Sequence, residues 1–173
     1  LIYRGLNLKT FLGAGKEAAT SVGAIMLMIL FSMILSQMFV LESVPQALVG
    51  MIEHMAIPPM LVIFLIIAIY VVLGCVLESI SMMLLTVPVF FPLIVSLGFD
   101  PIWFGVLVVV VVEISLITPP IGLNVFILNA VLRDVALTDI FRGVVPFIMA
   151  DVARVLMVVF IPALSLTLPY LVK

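Results

Sequence analysis

The sequence predicts an all-α integral membrane fold that contains one re-entrant helical hairpin and one broken transmembrane helix. Three observations predict it. The first is composition: 66% hydrophobic and 9% charged residues, with a mean hydropathy of +1.55. That is far from a soluble domain and typical of a chain embedded in lipid. The second is a series of apolar runs over 18–41, 60–77, 82–97, 102–132 and 146–168. The third is Thr118-Pro119-Pro120 inside the run 102–132. A Pro-Pro pair cannot continue a helix, because neither residue donates an N–H and both rings crowd earlier carbonyls. A helix entering from Trp103 should stop near Ile117, and a new one should start at about Pro120, since proline suits a first-turn position. The break frees carbonyls on one half and N–H groups on the other. In lipid this is tolerated only where protein or a polar cavity satisfies them.

The elements follow in order. Residues 1–16 mix apolar residues with Arg4, Lys9 and Lys16, which suits either an interfacial segment or the tail of a preceding span. The chain starts at Leu1 with no signal-peptide pattern, and the expectation is a part of a longer protein. Residues 18–41 are long enough to span, and the small polar residues Ser21, Ser32, Ser36 and Gln37 suit helix packing. Residues 42–59 form a polar connection with Glu42, Glu53, His54 and Pro58-Pro59, and His54 is expected to be solvated.

Residues 60–77 and 82–97 are two apolar arms of about 17 residues each, short for full spans. Between them lies Gly74-Cys-Val-Leu-Glu78-Ser79-Ile-Ser81. Few turn residues mark that joint as an exposed loop, so a re-entrant hairpin with its tip near 77–81 is preferred over two full spans. Pro88 and Pro92 would kink its return arm. Asp100-Pro101 is helix-start chemistry, with Asp as N-cap and Pro at the first helical position. Residues 132–145 are polar, and Thr138 or Asp139 is a candidate cap for a short interfacial helix. Residues 146–168 form the last span, opened by Pro146 and interrupted by Pro162.

The charge bias tests this topology. Arg4, Lys9 and Lys16 place the N-terminal segment inside, and residues 42–59 and 98–102 carry acids but no Lys or Arg, as an outside face should. A single crossing by 102–132 puts Arg133 and Arg142 inside; Lys173, outside, is a weak exception. The chain then divides into 1–59 (N-terminal segment, scaffold span and external connection), 60–132 (hairpin 60–97 and broken span 102–132) and 133–173 (inner connection and last span). The hairpin tip and the helix break would meet near the midplane. Such a pattern is half of an inverted-repeat transporter.

The residues also carry a family resemblance. Gly98-Phe-Asp-Pro-Ile-Trp-Phe-Gly105 followed by Glu113-Ile-Ser-Leu-Ile-Thr-Pro-Pro-Ile-Gly-Leu-Asn-Val-Phe126 resembles the large membrane subunit (DctM type) of tripartite ATP-independent periplasmic (TRAP) transporters. Gly74-x-x-Leu77-Glu78 with Pro88 and Pro92 is similar to that family's Gly-x-x-Leu-Asp and proline pattern. The resemblance covers essentially the whole chain and matches the C-terminal two-fifths or so of such a subunit. Glu78 departs from the usual Asp, and Ser115 from a common Gly.

The resemblance implies a sodium-driven elevator in a bacterial inner membrane, importing an organic acid such as sialic acid or a C4-dicarboxylate. Its implied partners are a periplasmic substrate-binding protein, a small membrane subunit, the N-terminal half of the same subunit and the lipid bilayer. No cofactor is implied beyond sodium as coupling ion. Local chemistry agrees with a cation, because a helix C-terminus offers hard carbonyl oxygens and the negative end of its dipole. The candidate sodium ligands are Ser79, Ser115, Thr118 and Pro120. Gly122 and Asn124 open a helix whose positive end would face a substrate carboxylate, and Gly122 would permit close backbone approach.

Each candidate has a plainer reading. Ser79 and Ser81 would cap the tip, Thr118 would bond a freed carbonyl, and Asn124 would pack across helices. Glu78 and Glu113 are intramembrane carboxylates, expensive unless paired, protonated or wet; either would serve coupling or would brace backbone. Arg154 stands i+3 from Asp151, a local ion pair. Cys75, the single cysteine, reads as a small core residue, and the Val108–Val112 run as packing or lipid contact.

An enzyme is not expected. The only histidine is in a connection, and neither Gly-x-Ser-x-Gly nor His-Glu-x-x-His occurs. No basic cluster suggests nucleic acid. The alternative is another ion-coupled dicarboxylate or anion transporter of the same broad architecture, working without a binding protein.

Overall fold

The computed structural model describes residues 8–119, 122–132 and 135–171. Every regular element among them is helical: α1 (Leu8–Leu41), α2 (Val44–Met55), α3 (Pro59–Gly74), α4 (Ser79–Ser96), α5 (Pro101–Ser115), α6 (Leu123–Val131), α7 (Leu137–Phe160) and α8 (Ala163–Leu171). Within α1, and along α4 and α7, the chain is long and apolar enough to cross a membrane, while α3 and α5 are shorter apolar helices. The protein is an all-α, multi-pass membrane protein.

The centre of the packing is α5, which touches α3, α4, α7 and α8. Trp103, Phe104, Leu107, Val108, Val111, Val112, Ile114 and Ser115 are all buried. They recur every three to four residues and so occupy one stripe of the helix. Val109 and Glu113, off that stripe, are exposed. Val62, Ile63, Ile66 and Tyr70 of α3, Leu93 and Ile94 of α4, and Val155, Val158 and Val159 of α7 complete this core. In contrast, α1 packs on α4 and α2 and leaves most of its apolar surface uncovered, as expected for a helix facing lipid or further protein.

Asp100 starts α5 as expected. Its Oδ1 accepts from the amides of Ile102 at 2.7 Å and Trp103 at 3.2 Å, and Pro101 takes the first helical position. The Tyr170 hydroxyl donates to Asp100 Oδ2 at 2.6 Å, so the far end of α8 returns to the level at which α5 begins. The Tyr170 bond holds the Asp100 carboxyl below its ordinary value; partial burial opposes this, and the Trp103 and Ile102 amides add to the lowering. A folded pKa depressed in this way contributes stability above the unfolded value, and the contribution is lost as pH falls through the folded one. Removing the Tyr170 hydroxyl raises that folded value. Tyr170→Phe is therefore expected to lose thermal stability at a higher pH than the parent in an acid titration of the purified permease.

Tryptophan 103 illustrates how the chain repairs its own prolines. In a helix the Val158 carbonyl would accept from residue 162, but residue 162 is proline and has no N–H. The Trp103 indole Nε1–H donates to Val158 O instead, at 2.7 Å. Helix α7 ends two residues later at Phe160, and α8 resumes at Ala163. The interruption at Pro162 is as the sequence predicts.

Several expectations need correction. Residues 8–16 do not form a separate interfacial piece, because α1 runs unbroken from Leu8 to Leu41, about 51 Å at 1.5 Å per residue. The connection 42–59 contains a full helix, α2, which packs on α4. Its apolar residues Val49 and Ile52 sit against the core, and that pattern outweighs the acids that marked the stretch as a connection. His54 is exposed in the last turn of α2. The return arm α4 begins at Ser79, three residues earlier than the apolar run suggests, because Glu78 caps it. Its helix continues through both Pro88 and Pro92. Pro146 does not open the last span: α7 starts at Leu137, with Ala136 at the N-cap, and runs through it. Thr138 and Asp139 thus lie inside the first turn of α7 rather than at a cap.

Candidate functional site

The turn between α3 and α4 meets the end of α5. Gly74 and Cys75 are both buried there. The Cys75 thiol lies 3.3 Å from Val71 O and 4.0 Å from Thr118 O, which confirms a packed rather than an exposed cysteine. A methyl group placed on Gly74 would overlap the Oγ and Cβ of Ser115. The two arms are also braced away from the turn. Thr86 Oγ1 lies 2.6 Å from the Tyr70 hydroxyl, and the Tyr70 and Phe90 rings are 5.9 Å apart.

The break itself is longer than expected. Helix α5 ends at Ser115, and α6 begins at Leu123 with Gly122 at its N-cap. The anticipated restart at about Pro120 is therefore corrected by three residues. Pro120 lies outside the described residues, so its carbonyl is not placed. Two carbonyls at the end of α5, those of Ser115 and Leu116, would have Pro119 and Pro120 as helical partners and receive no amide from them. Leu116 O instead accepts from the Asn124 amide across the break, at 3.1 Å. This bond pins the start of the second half-helix to the end of the first.

Gly122 makes the pin possible. Its φ of 58° lies in the left-handed region, and a Cβ there would stand 3.3 Å from Ile117 O and 3.4 Å from Phe141 Cε1. Only glycine combines that conformation with so close an approach. The Gly122 carbonyl accepts from Val125 and Phe126. The Asn124 side chain is exposed.

The side-chain oxygens divide into two kinds. Thr118 Oγ1 donates to Ile114 O at 2.6 Å, and Ser115 Oγ donates to Val112 O at 2.6 Å. A hydroxyl that donates its proton this way keeps lone pairs for another partner. Thr118 is half-buried at the break, whereas Ser115 is completely buried. Glu78 Oε2 accepts from the amides of Ile80 at 3.0 Å and Ser81 at 3.1 Å. Its carboxylate caps α4.

Ser79 occupies the first position of α4 and lines an open cavity of about 320 Å³ with Met83, Val109, Val112, Glu113 and Leu116. Glu113 is ion-paired across helices to Arg154 of α7 at 2.7 Å, and Arg154 also holds Asp151 at 2.9 Å. The local Asp151–Arg154 pair was legible from spacing. The Glu113 partner was not, since it comes from a contact 41 residues away.

A larger cavity of about 700 Å³ opens between α1, the turn and α6, and its lining includes Phe31, Ser32, Leu77, Glu78, Ser81 and Leu123. Ser81 Oγ is buried there and, among the described residues, is the one such side-chain atom without a hydrogen-bond partner. The sequence offered Ser81 a capping role or a place in the site, but not a buried hydroxyl without a partner. Neither that nor the tight seat of Gly74 has a signal in residue type alone.

Comparison with known proteins identifies the family. Residues 1–164 match the DctM component of the tripartite ATP-independent periplasmic transporters. The chain is 31% identical over 97% of its length to the C4-dicarboxylate TRAP transporter large permease protein DctM of Pseudomonas aeruginosa. It is 28% identical over 99% of its length to the sialic acid TRAP transporter large permease protein SiaM of Vibrio cholerae. It is 27% identical over 95% to the 2,3-diketo-L-gulonate TRAP transporter large permease protein YiaN of Escherichia coli. It spans 39%, 40% and 38% of those three relatives. These are transport proteins of the bacterial inner membrane, not enzymes. The chain, an all-helical multi-pass protein whose broken helix and helical turn meet in its interior, belongs to the DctM family of TRAP transporter large permeases.

Proposed function

We propose that this chain is the part of a large permease that holds one half of an ion and substrate site, in a sodium-coupled, binding-protein-dependent importer of an organic acid. The observation that carries the reading is the junction of the α3–α4 turn with the break between α5 and α6. Helix α5 covers about 22 Å from Pro101 to Ser115. A turn seated at its end lies about that deep, short of the roughly 30 Å of hydrocarbon in a bilayer. This supports a re-entrant hairpin for α3 and α4, with α5 and α6 as a broken span. Non-helical backbone at such a depth suits a cavity for ions or polar ligands.

Sodium takes the main-chain oxygens of Ser115 and Thr118 with the hydroxyls of Thr118 and Ser79. The substrate carboxylate takes the N-terminal end of α6 at Gly122 and Asn124. Glu78 and Glu113 hold the architecture through the α4 cap and the Arg154 pair. Transport follows an elevator motion of the hairpin and broken helix against a scaffold that includes α1. A periplasmic binding protein, a small membrane subunit and the N-terminal half of the permease complete the machine. The C4-dicarboxylate, sialic acid and 2,3-diketo-L-gulonate in the relatives' names support an organic acid as the substrate.

The test is uptake of a radiolabelled organic-acid panel by the complete permease with its partner subunits in liposomes. An inward sodium gradient is expected to drive accumulation of one acid, and only with its binding protein present. Uptake that ignores sodium would refute the coupling, and uptake without a binding protein would favour the simpler anion transporter.

A further inference from the structure

We infer that Gly74 and Ser115 form a size-matched steric pair that sets the distance between the α3–α4 turn and the helix break, with the Ser115 hydroxyl as a positioning group. The inference rests on the proposed ion site and assigns that hydroxyl a role other than ligation. Three observations carry it. First, any Cβ on Gly74 would overlap Ser115 Oγ and Cβ, and would also reach Met82 Cε at 3.4 Å. Gly74 is helical, at the last turn of α3, so contact rather than an unusual conformation demands glycine there. Second, Ser115 has no exposed surface, and its hydroxyl is tied to Val112 O at 2.6 Å. The side chain is thus held in one rotamer and cannot swing aside to admit a larger neighbour. Third, Cys75, next to Gly74, lies 4.0 Å from the carbonyl of Thr118, three residues after Ser115. A shift at the 74/115 contact therefore moves the turn relative to a carbonyl of the proposed ion site.

A knob seated on a glycine transmits displacement because packed interiors have little slack. Widening the contact by one methyl forces backbone movement, because a filled interior has no room to take it up otherwise. Removing the knob opposite the new methyl relieves it. The sizes of residues 74 and 115 are thus coupled, and neither alone fixes the site.

Gly74→Ala, Ser115→Gly and the double variant distinguish this from ligation by the hydroxyl. In the complete permease with its partner subunits, Gly74→Ala is expected to raise the sodium concentration for half-maximal uptake by roughly tenfold and to lower the melting temperature. Adding Ser115→Gly to Gly74→Ala is expected to restore both. Ser115→Gly alone keeps the main-chain oxygen assigned to sodium and should shift the sodium half-saturation less than Gly74→Ala does. A Ser115→Gly variant that by itself loses sodium affinity tenfold, with no rescue in the double variant, would overturn the inference and make the hydroxyl a ligand. The melting series separates this proposal from the functional one. If the parent shows no sodium dependence, compensation in melting temperature still supports the steric pair, and its absence still defeats it.

Discussion

Trp103→Ala is expected to be among the most destabilising single substitutions in this chain. Trp103 is 2% exposed, stacks on Phe99 at 5.1 Å, and supplies the N–H that Pro162 cannot give to Val158 O. In lipid the transfer of apolar surface drives helix association weakly, and packing with interhelical hydrogen bonds decides it. The cavity and the orphaned carbonyl are therefore the relevant costs, together about 2–4 kcal/mol. Thermal unfolding of the purified permease in detergent measures this. Trp103→Phe refills much of the cavity and leaves only the carbonyl unpaired, so it should retain about half of the lost stability. Equal effects of Phe and Ala would mean that the indole bond, not the packing, dominates. A change below about 0.5 kcal/mol in Trp103→Ala, the range of an ordinary surface substitution, would contradict the placement of α5 at the centre of the core.

Gly122→Val is expected to abolish transport while the protein still reaches the membrane. The left-handed conformation at Gly122 costs a β-branched residue more than the roughly 1–2 kcal/mol of an ordinary side chain. Its Cβ would also press on Ile117 O and the Phe141 ring. The cheapest relief is for the start of α6 to move, which breaks the Asn124 N–Leu116 O bond and misaligns the two half-helices. Gly122→Ala should retain partial uptake, because it carries the conformational cost with less crowding. Normal uptake by Gly122→Val, measured at matched membrane levels, would show that the geometry of the break is not needed for transport.

Those two residues also show what was legible in the chain. The existence of a break follows from Pro119 and Pro120, since the missing N–H groups are a property of residue type. Its length does not, because the restart depends on Gly122 and on the Asn124 amide finding Leu116 O across the gap. Likewise, Asp100 announces α5 by local capping chemistry alone. The α3–α4 turn was visible as a joint, yet the tight seat of Gly74 on Ser115 was not, since it joins residues about forty positions apart. Glu113 shows the same limit. As a lone carboxylate in an apolar run it suggested function, and the Arg154 partner supplied by α7 left no mark in the local sequence. Pro146 misled in the other direction. A proline near the start of an apolar run reads as a helix start, but α7 begins nine residues earlier and carries it inside.

The measurement that tests the central claim most directly is sodium-dependent uptake by Thr118→Ala and Ser79→Ala variants of the complete permease, with partner subunits, in liposomes. Both variants remove one hydroxyl oxygen at the junction of turn and break, and Thr118→Ala also removes the bond to Ile114 O. The account predicts that each raises the sodium half-saturation by about tenfold or more, as loss of a hydrogen-bonding or ligating oxygen of about 1.5–3 kcal/mol requires. Saturating sodium should recover most of the maximal rate. Unchanged sodium curves in both variants, with uptake otherwise intact, would contradict it and move the ion site away from the junction.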